Sequence, residues 1–197
     1  LLYMANLGCI EINPWSSTIQ NLDNPDYTVI DIDPSDKNTF EETLHCARAA
    51  KEVLDLAHVE GFCKTTGKSG IHIYIPLGKK YTYEEARTFT KLLCVYINEK
   101  LPKLTSLERT VRKRKGKIYL DFMQNRRAQT LAAPYCARPV PGATVSTPVS
   151  WQEIEKGFDK NEFTIKTVPE RLEKKGDLFE GVLGPGIDME KALLNLS

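Results

Sequence analysis

The run Tyr27–Asp33 is the feature that most constrains the fold of this chain. It is a strand-like segment, Tyr-Thr-Val-Ile-Asp-Ile-Asp, and Pro34 stops it. Side chains alternate along a strand, so Asp31 and Asp33 share one face while the intervening isoleucines point to the other. The sequence therefore predicts a strand with one apolar face and two carboxylates at the end of the opposite face.

A second strand-like run, residues 117–121, ends at Asp121. Neighbouring carboxylates repel each other unless a cation lies between them, and hard divalent ions prefer oxygen ligands. If the two strands are adjacent, Asp31, Asp33 and Asp121 would hold one or two Mg²⁺ or Mn²⁺ ions, the usual start of metal-assisted phosphoryl transfer. Aspartate before proline is also common where strands simply end, so the motif alone leaves both interpretations open.

Helical and strand-like patterns alternate along the chain. A helix is predicted from a cap at Ser35 or Asp36 to about Ala57, and a capping box at Thr82 opens a second helix. The other predicted elements are strands near 5–13, 71–75 and 128–135, a short helix from Ser150, one from Pro169 and a last one near 188–196. This alternation predicts an α/β (α+β) fold, with mixed sheets flanked by helices and the acidic residues at strand ends.

Composition sets broader limits. With 197 residues, 41% of them hydrophobic and 27% charged, the chain is predicted to form one globular domain or two small lobes. Its five cysteines are scattered and never form a C-x-x-C pair, which favours reduced thiols in a cytoplasmic protein. No apolar run predicts a membrane span. The start at Leu1, without methionine, suggests a piece of a longer polypeptide.

The loop 64–72 has the composition of an anion site. Its Gly67-Lys68-Ser69 resembles the end of a P-loop, but five residues rather than four separate Gly61 from Gly67, and a strand follows instead of a helix. Glycines allow backbone N–H groups to turn toward an anion, and His72 could hydrogen-bond a phosphate oxygen. From these residues alone, an ordinary hairpin-type loop remains an equal alternative.

Basic residues crowd around Asp121. Those before it are Arg109, Arg112, Lys113, Arg114, Lys115 and Lys117, and those after it are Arg126 and Arg127. A charge run is most often a solvated face, but beside an acidic metal site it would also seat phosphates. His45 and His58 are interpreted as surface or packing residues, without a partner for a hydrolytic triad.

The order of these motifs resembles that of the archaeo-eukaryotic primase superfamily, and more narrowly the polymerase domain of bacterial ligase D. The main motifs are Asp31–Pro34, Thr66–Pro76 and Asp121–Asn125. Further matching stretches are Tyr3–Gly8, Thr130–Tyr135, Arg138, Pro141–Ala143, Val145–Pro148 and Trp151. The resemblance runs along nearly the whole chain and implies a primase-polymerase catalytic core over residues 1–197, lacking its N-terminal segment.

The resemblance also implies roles for single residues. Asp31, Asp33 and Asp121 match the carboxylates that bind two catalytic Mn²⁺ or Mg²⁺ ions. The positions implied to bind the nucleotide are Thr66, Lys68, Gly70, His72, Arg114 and Arg138. The activity implied is addition of nucleotides, preferentially ribonucleotides, to a primer 3′-hydroxyl at DNA ends or gaps during end joining.

The implied partners are DNA ends, gaps and primer-templates, NTP or dNTP, an ATP-dependent DNA ligase and a Ku-type end-binding protein, in the cytoplasm at the bacterial nucleoid. The chain departs from the family pattern at four positions. Asn13 replaces a frequent histidine, Thr66 a serine, and Gln124 and Val140 stand where many relatives have arginine. A metal-dependent nuclease or phosphatase, a non-catalytic DNA-end-binding module and a true primase are the alternatives that the sequence leaves open.

Overall fold

A computed structural model describes residues 2–196. Its centre is a single six-stranded sheet in the order β4-β5-β1-β3-β2-β6. The strands are β1 Tyr27–Asp33, β2 Phe62–Thr65, β3 Ile71–Pro76, β4 Thr105–Ser106, β5 Ile118–Asp121 and β6 Pro148–Val149. All neighbours are antiparallel except β4 and β5. The predicted class, a mixed sheet flanked by helices, is confirmed.

Helices account for most of the remaining regular structure. They are α1 Leu2–Asn6, α2 Phe40–Leu56, α3 Tyr83–Lys100, α4 Trp151–Lys156, α5 Val168–Lys175 and α6 Met189–Leu196, with short 3-10 turns at Val111–Lys113, Lys160–Glu162 and Glu180–Leu183. In residues 2–196, no helix is both long and apolar enough to cross a membrane.

The main core lies between one face of the sheet and the long helices α2 and α3. Ile30 and Ile32 of β1 are fully buried there beside Ile71 and Ile73 of β3. A smaller apolar cluster, Val29, Tyr74, Phe179 and Val182, lies on the opposite face of the sheet. That opposite face is the one that carries Asp31 and Asp33, because side chains alternate along β1.

Three sequence predictions about the elements are wrong. The helix α2 begins after Thr39, which forms a capping box with Glu42, and not at Ser35 or Asp36. Ser35 is instead bonded to Asn38 and to the Gly116 carbonyl, so its hydroxyl cannot cap the helix.

The predicted strand near 5–13 is absent from the described chain. In its place are the helix α1 and a turn at Gly8, where φ is +73°. The irregular segment that follows is held by a hydrogen bond from the Ala133 N–H to the Ile12 carbonyl. No regular strand forms over residues 128–135; the segment is irregular, and Ala128 and Tyr135 at its two ends have positive φ. The strands β2, β4 and β6 were not predicted.

Several other predictions are confirmed. Capping boxes start α3 at Thr82 and α4 at Ser150, α5 contains Pro169 in its first turn, and a helix follows Gly186. The five cysteines are free thiols, and all except Cys9 are buried. His45 and His58 are exposed.

Candidate active site

A row of polar side chains crosses the sheet on the face away from α2 and α3. In the strand register, Asp31 of β1 is opposite Asp121 of β5 on one side and His72 of β3 on the other. Lys64 of β2 is opposite His72 and extends the row. Four adjacent strands therefore bring together residues that are far apart in sequence, including two of the three predicted carboxylates and the predicted histidine.

Asp31 and His72 form the centre of this row. The His72 Nε2 atom is 3.3 Å from Asp31 Oδ1, and both side chains are buried. Burial lowers the pKa of His72, and the positive charge of Lys64 lowers it further. The Asp31 carboxylate opposes this lowering from its position beside Nε2.

Asp33 and Asp121 are both close enough to the Asp31 carboxylate to be affected by its negative charge. Burial raises the pKa of Asp33, and the nearby Asp31 carboxylate adds to the rise, whereas Arg114, 3.5 Å away, opposes it. The pKa of Asp121 is also raised by burial and by Asp31, although the Met123 N–H donates to its Oδ1 over 2.7 Å. Both carboxyl groups would therefore be stabilised by a cation placed among them.

Arg114 is held in place by several contacts. Its guanidinium carbon is 3.8 Å from the centroid of the Tyr119 ring, and its nitrogens donate to the carbonyls of Glu108 and Arg109. Tyr119 is opposite Asp33 in the register, which explains why the arginine reaches that carboxylate. Arg114 is thus a fixed positive charge at the edge of the acidic group.

The loop between β2 and β3 is built around Thr66. Its Oγ1 accepts hydrogen bonds from the backbone N–H of Lys68 and of Gly70, at 3.2 and 3.1 Å. Gly70 lies directly on β1, since a Cβ atom there would be 2.5 Å from the Ile32 carbonyl oxygen. Because β3 follows, the rejection of a P-loop is confirmed. The hydroxyl hydrogen of Thr66 remains available to a ligand.

A cavity of about 250 Å³ opens above these residues. A larger cavity, about 430 Å³, lies beside Trp151 but contains none of the predicted site residues. Asp121 and Arg114 do not line the smaller cavity. Its lining is Asn13, Asp31, Asp33, Thr66, Lys68, Ser69, Gly70, His72, Thr130, Leu131, Ala132 and Arg138.

Arg138 forms one wall of this cavity beside Glu11. Its Nε is 3.3 Å from Glu11 Oε2 but has no well-aligned hydrogen-bond partner among the described residues. Asn13 donates to the other Glu11 oxygen over 3.2 Å. The irregular N-terminal segment therefore reaches the cavity through Glu11 and Asn13.

Two of the departures from the family pattern have contrasting surroundings. Gln124 Nε2 is 3.4 Å from Asp121 Oδ2, so the amide contacts the acidic group without supplying a charge. Val140 is half-buried in the turn after Arg138 and does not line the cavity.

The sequence did not predict that two polar residues, Lys64 and Ser146, are buried beside His72. Lys64 is fully buried, and its Nζ is 3.1 Å from His72 Nδ1 and 2.7 Å from Ser146 Oγ. Burial lowers the pKa of Lys64 to about 7. The strand β2 was not predicted, so nothing in the sequence placed Lys64 next to the histidine. The sequence included Lys64 in the anion-binding loop 64–72, whereas the structure places it inside β2.

The donor set was tested for its fit to a divalent cation. Three carboxylates near one another, two of them with raised pKa, suit a hard ion that prefers oxygen ligands. Within residues 2–196, however, no group of three or more His, Cys, Asp or Glu side chains is arranged closely enough to hold an ion. The three carboxylates therefore have the right chemistry for a divalent ion, and the strand register places two of them opposite each other. In the described residues, however, they do not form a closed coordination shell.

Comparisons with known proteins bear on the family and the fold of this chain. A bifunctional non-homologous end joining protein LigD from Bacillus subtilis is 34% identical over 180 residues, which cover 91% of this chain and 29% of that protein. A multifunctional LigD from Pseudomonas aeruginosa is 28% identical and is covered over 21% of its length. The chain thus spans less than a third of the curated relatives it matches.

A solved structure shares the fold. The polymerase domain of Mycobacterium tuberculosis ligase D, in complex with DNA, superposes with a TM-score of 0.83 at 24% sequence identity, over 94% of this chain and 67% of that one. The sequence profile described as "LigD, primase-polymerase domain" matches residues 1–179. With most of its length matched in this way, the chain belongs to the LigD primase-polymerase domain family, a family of nucleotidyltransferases.

Proposed function

We propose that this chain adds nucleotides to the 3′-hydroxyl of a DNA primer at ends or gaps, as part of double-strand break repair by end joining. The observation that carries the proposal is the row Asp121, Asp31 and His72, which lies beside a loop rich in anion-binding groups. A nuclease would need the carboxylates but no loop for a free triphosphate. The names of the relatives supply the repair context.

The carboxylates Asp31, Asp33 and Asp121 would hold Mg²⁺ or Mn²⁺, two ions by analogy with the family. Bound there, the metal would supply Lewis-acid activation of the 3′-hydroxyl and charge neutralisation at the phosphates. The α-phosphorus would form a bond to that hydroxyl oxygen, and pyrophosphate would leave. Arg114, fixed against Tyr119, would limit the negative charge around Asp33.

The loop residues would bind the triphosphate. Thr66 offers its hydroxyl hydrogen, exposed Lys68 offers an ammonium, and His72 offers a ring nitrogen beside Asp31. Arg138 supplies a guanidinium whose Nε lies 3.3 Å from Glu11 Oε2 but has no hydrogen-bond partner among residues 2–196. Gly70 allows the loop to lie against β1, so these donors face the same cavity as the carboxylates.

We further propose that the partners are DNA ends, gaps and primer-templates, with NTP or dNTP as substrates. An ATP-dependent ligase and a Ku-type end-binding protein would act with the domain.

Primer extension tests the proposal. The wild-type chain is incubated with a labelled primer-template and Mn²⁺, with and without nucleotides, beside Asp31→Asn and a control, Asp55→Asn, on the exposed side of α2. We expect Asp31→Asn to lose about a thousandfold or more of the extension rate, since an amide cannot replace a carboxylate ligand. The control should match wild type, and circular dichroism should show that both variants are folded.

Two results would contradict the proposal. Shortening of the primer without nucleotides, abolished by Asp31→Asn, would indicate a nuclease. Tight binding of DNA ends with no change in primer length in any lane would indicate a non-catalytic end-binding module.

A further inference from the structure

Arg138 is a largely buried cation whose charge needs a partner. Its side chain is only 12% exposed, and its Nε atom has no hydrogen-bond partner among residues 2–196. A second cation is buried close by, since burial lowers the pKa of Lys64 to about 7 and the charge of Arg138 adds to this lowering, against the opposing effect of Asp31. Like charges repel each other, and a buried charge without compensation is costly. The position of the Arg138 guanidinium in the cavity wall therefore depends on a nearby negative charge.

Glu11 supplies this negative charge. Its Oε2 atom is 3.3 Å from Arg138 Nε, and among residues 2–196 no other carboxylate is within ion-pair distance of that guanidinium. The other oxygen of the Glu11 carboxylate accepts a hydrogen bond from the Asn13 amide over 3.2 Å. Arg138 and Asn13 line the cavity, and Glu11 does not. The carboxylate thus contacts two cavity residues without being part of the lining.

The backbone next to Glu11 is bonded to the chain segment that leads to Arg138. The N–H of Ile12 donates to the Cys136 Sγ atom over 3.0 Å. The carbonyl of Ile12 accepts from the Ala133 N–H over 2.9 Å. Both backbone groups of Ile12 are therefore paired with the segment 133–136, and this pairing anchors the neighbouring Glu11 beside the guanidinium.

The aliphatic part of the Arg138 side chain is fixed as well. Gly67, in the loop between β2 and β3, has a φ of +70°, and a Cβ atom there would be only 2.5 Å from Arg138 Cγ. The Arg138 N–H donates to the Thr144 carbonyl over 2.8 Å. The stem of the arginine thus packs closely against the loop, and only the direction of the guanidinium beyond it is left to the charge of Glu11.

We propose that Glu11 is a positioning residue that holds the Arg138 guanidinium in the cavity wall, where its terminal nitrogens are available to the nucleotide phosphates. Without the carboxylate, the positive charge of Lys64 would repel the guanidinium and turn it toward solvent. The charge of Glu11 also repels phosphate, but this repulsion acts through solvent and is worth less than a charge-assisted hydrogen bond from the arginine. The inference rests on the proposed function only in naming the ligand of the cavity.

Hydrogen exchange, followed by NMR, tests the position of the guanidinium without any activity. Because Nε is buried, we expect the Arg138 Nε–H, assigned with Arg138→Met, to exchange with water about a tenth as fast as that of exposed Arg112, or more slowly. Glu11→Ala should bring the Arg138 rate close to the Arg112 rate. Glu11→Gln keeps the size of the side chain and should give an intermediate rate. Glu99→Ala, which removes an exposed carboxylate from α3, is the control and should leave the rate unchanged.

Nucleotide kinetics test the consequence for the cavity. In primer extension, Glu11→Ala should raise the KM for the nucleotide about tenfold, with a smaller effect on kcat, as expected for a lost charge-assisted hydrogen bond to the substrate. In an Arg138→Met background, the same substitution should no longer raise KM, because it then removes only the repulsion between the carboxylate and the phosphates. In an Asn13→Ala background it should still raise KM about tenfold, which separates the contact with Arg138 from the contact with Asn13.

A wild-type Arg138 Nε–H that exchanges as fast as that of Arg112 would overturn the inference, and this result needs no variant to fold. An unchanged exchange rate in folded Glu11→Ala or Glu11→Gln would overturn it too. A fall in KM for Glu11→Ala would show that the carboxylate only repels the nucleotide, and an equal rise with and without Arg138 would show that it acts elsewhere. If the chain adds no nucleotide at all, the proposed function fails, while the exchange rates still decide whether Glu11 holds the guanidinium.

Discussion

At the scale of single residues, Asn125 replaces a missing stretch of strand. The strand β5 pairs with β1 only from Asp31 onward, which leaves the backbone of Val29 without a neighbour on that side. The Asn125 side chain accepts from the Val29 N–H over 2.7 Å and donates to its carbonyl over 2.8 Å. The buried Asn125 amide thus pairs with both backbone groups of Val29, which lies two residues before Asp31.

Replacing Asn125 should therefore be costly. Asn125→Ala would leave the N–H and carbonyl of Val29 buried and unpaired, and we expect the free energy of unfolding to fall by about 2–4 kcal/mol. Urea denaturation followed by circular dichroism measures this loss. The matched control is Asn161→Ala, at an exposed position, which should change the free energy by less than about 0.5 kcal/mol. Equal effects of the two substitutions would contradict this account of Asn125.

At the scale of secondary-structure elements, one glutamate joins two helices. Glu153 completes the capping box of α4 with Ser150, and it also accepts hydrogen bonds from Arg171 and Lys175 of α5, at 2.6 to 2.7 Å. Burial alone would raise the pKa of Glu153, but these donors outweigh burial and lower the pKa to about 2. The other capping boxes, at Thr39 and Thr82, hold their helices without such a link.

This low pKa predicts how stability depends on pH. Because the pKa of Glu153 is lower in the folded chain, its contribution is complete above about pH 4.5 and is lost as the pH falls toward 2. Glu153→Gln should reduce the free energy of unfolding at pH 7 by about 2 kcal/mol, after allowance for solvent screening, and should flatten the acid dependence.

Thermal melting between pH 2 and 7 makes the comparison. Glu42→Gln changes an exposed capping box that has no partner on another helix. The melting temperature of this variant should therefore vary with pH in parallel with that of wild type. If the Glu153 variant lost stability with acid as steeply as wild type, the link between α4 and α5 would not be ionic.

At the scale of the whole molecule, charge is distributed unevenly. The formal net charge is only +1, yet the segment before β5 exposes Arg109, Arg112, Lys113 and Lys115, none of which forms an ion pair within the described chain. Arg114, between them, is held against Tyr119 and Asp33. This basic segment is therefore available to phosphates, and it directly precedes β5, the strand that ends at Asp121.

Salt dependence of DNA binding tests this distribution. The triple substitution Arg112→Ala, Lys113→Ala and Lys115→Ala should weaken binding equally for all sequences and should reduce the slope of log K against log salt by up to about 3. Fluorescence anisotropy with a labelled primer-template measures both quantities. A control triple, Lys91→Ala, Lys156→Ala and Lys166→Ala, removes the same charge from exposed positions elsewhere. If both triples reduced the slope equally, net charge and not its location would control binding.

The sequence predicted the parts of the site that depend on local pattern. Alternation along β1 placed Asp31 and Asp33 on one face, and the capping boxes at Thr82 and Ser150 fixed two helix starts. Pairing between distant strands has no local signal, so the position of Asp121 opposite Asp31 could be stated only as a condition. The buried position of Lys64 beside His72 was not predicted for the same reason, because it depends on β2 pairing with β3.

The errors also have physical causes. Residues near 128–135 were predicted as a strand, but the chain turns with positive φ at Ala128 and Tyr135, and between them Thr130, Leu131 and Ala132 line the cavity. Residues near 5–13 lack a strand to pair with in the described chain and instead bring Glu11 to Arg138. In both cases, tertiary contacts override local propensity.

The register of β1 has a consequence for how such a domain can change over time. The side chains of Asp31 and Asp33 alternate with those of Ile30 and Ile32, so a shift of one residue would turn the isoleucines outward and drive both carboxylates into the core. No sequence change can therefore move these acids to a new position by sliding the strand while the protein still folds. Mutation can replace each aspartate individually, but the position of each aspartate on the sheet is fixed by the same register that buries Ile30 and Ile32.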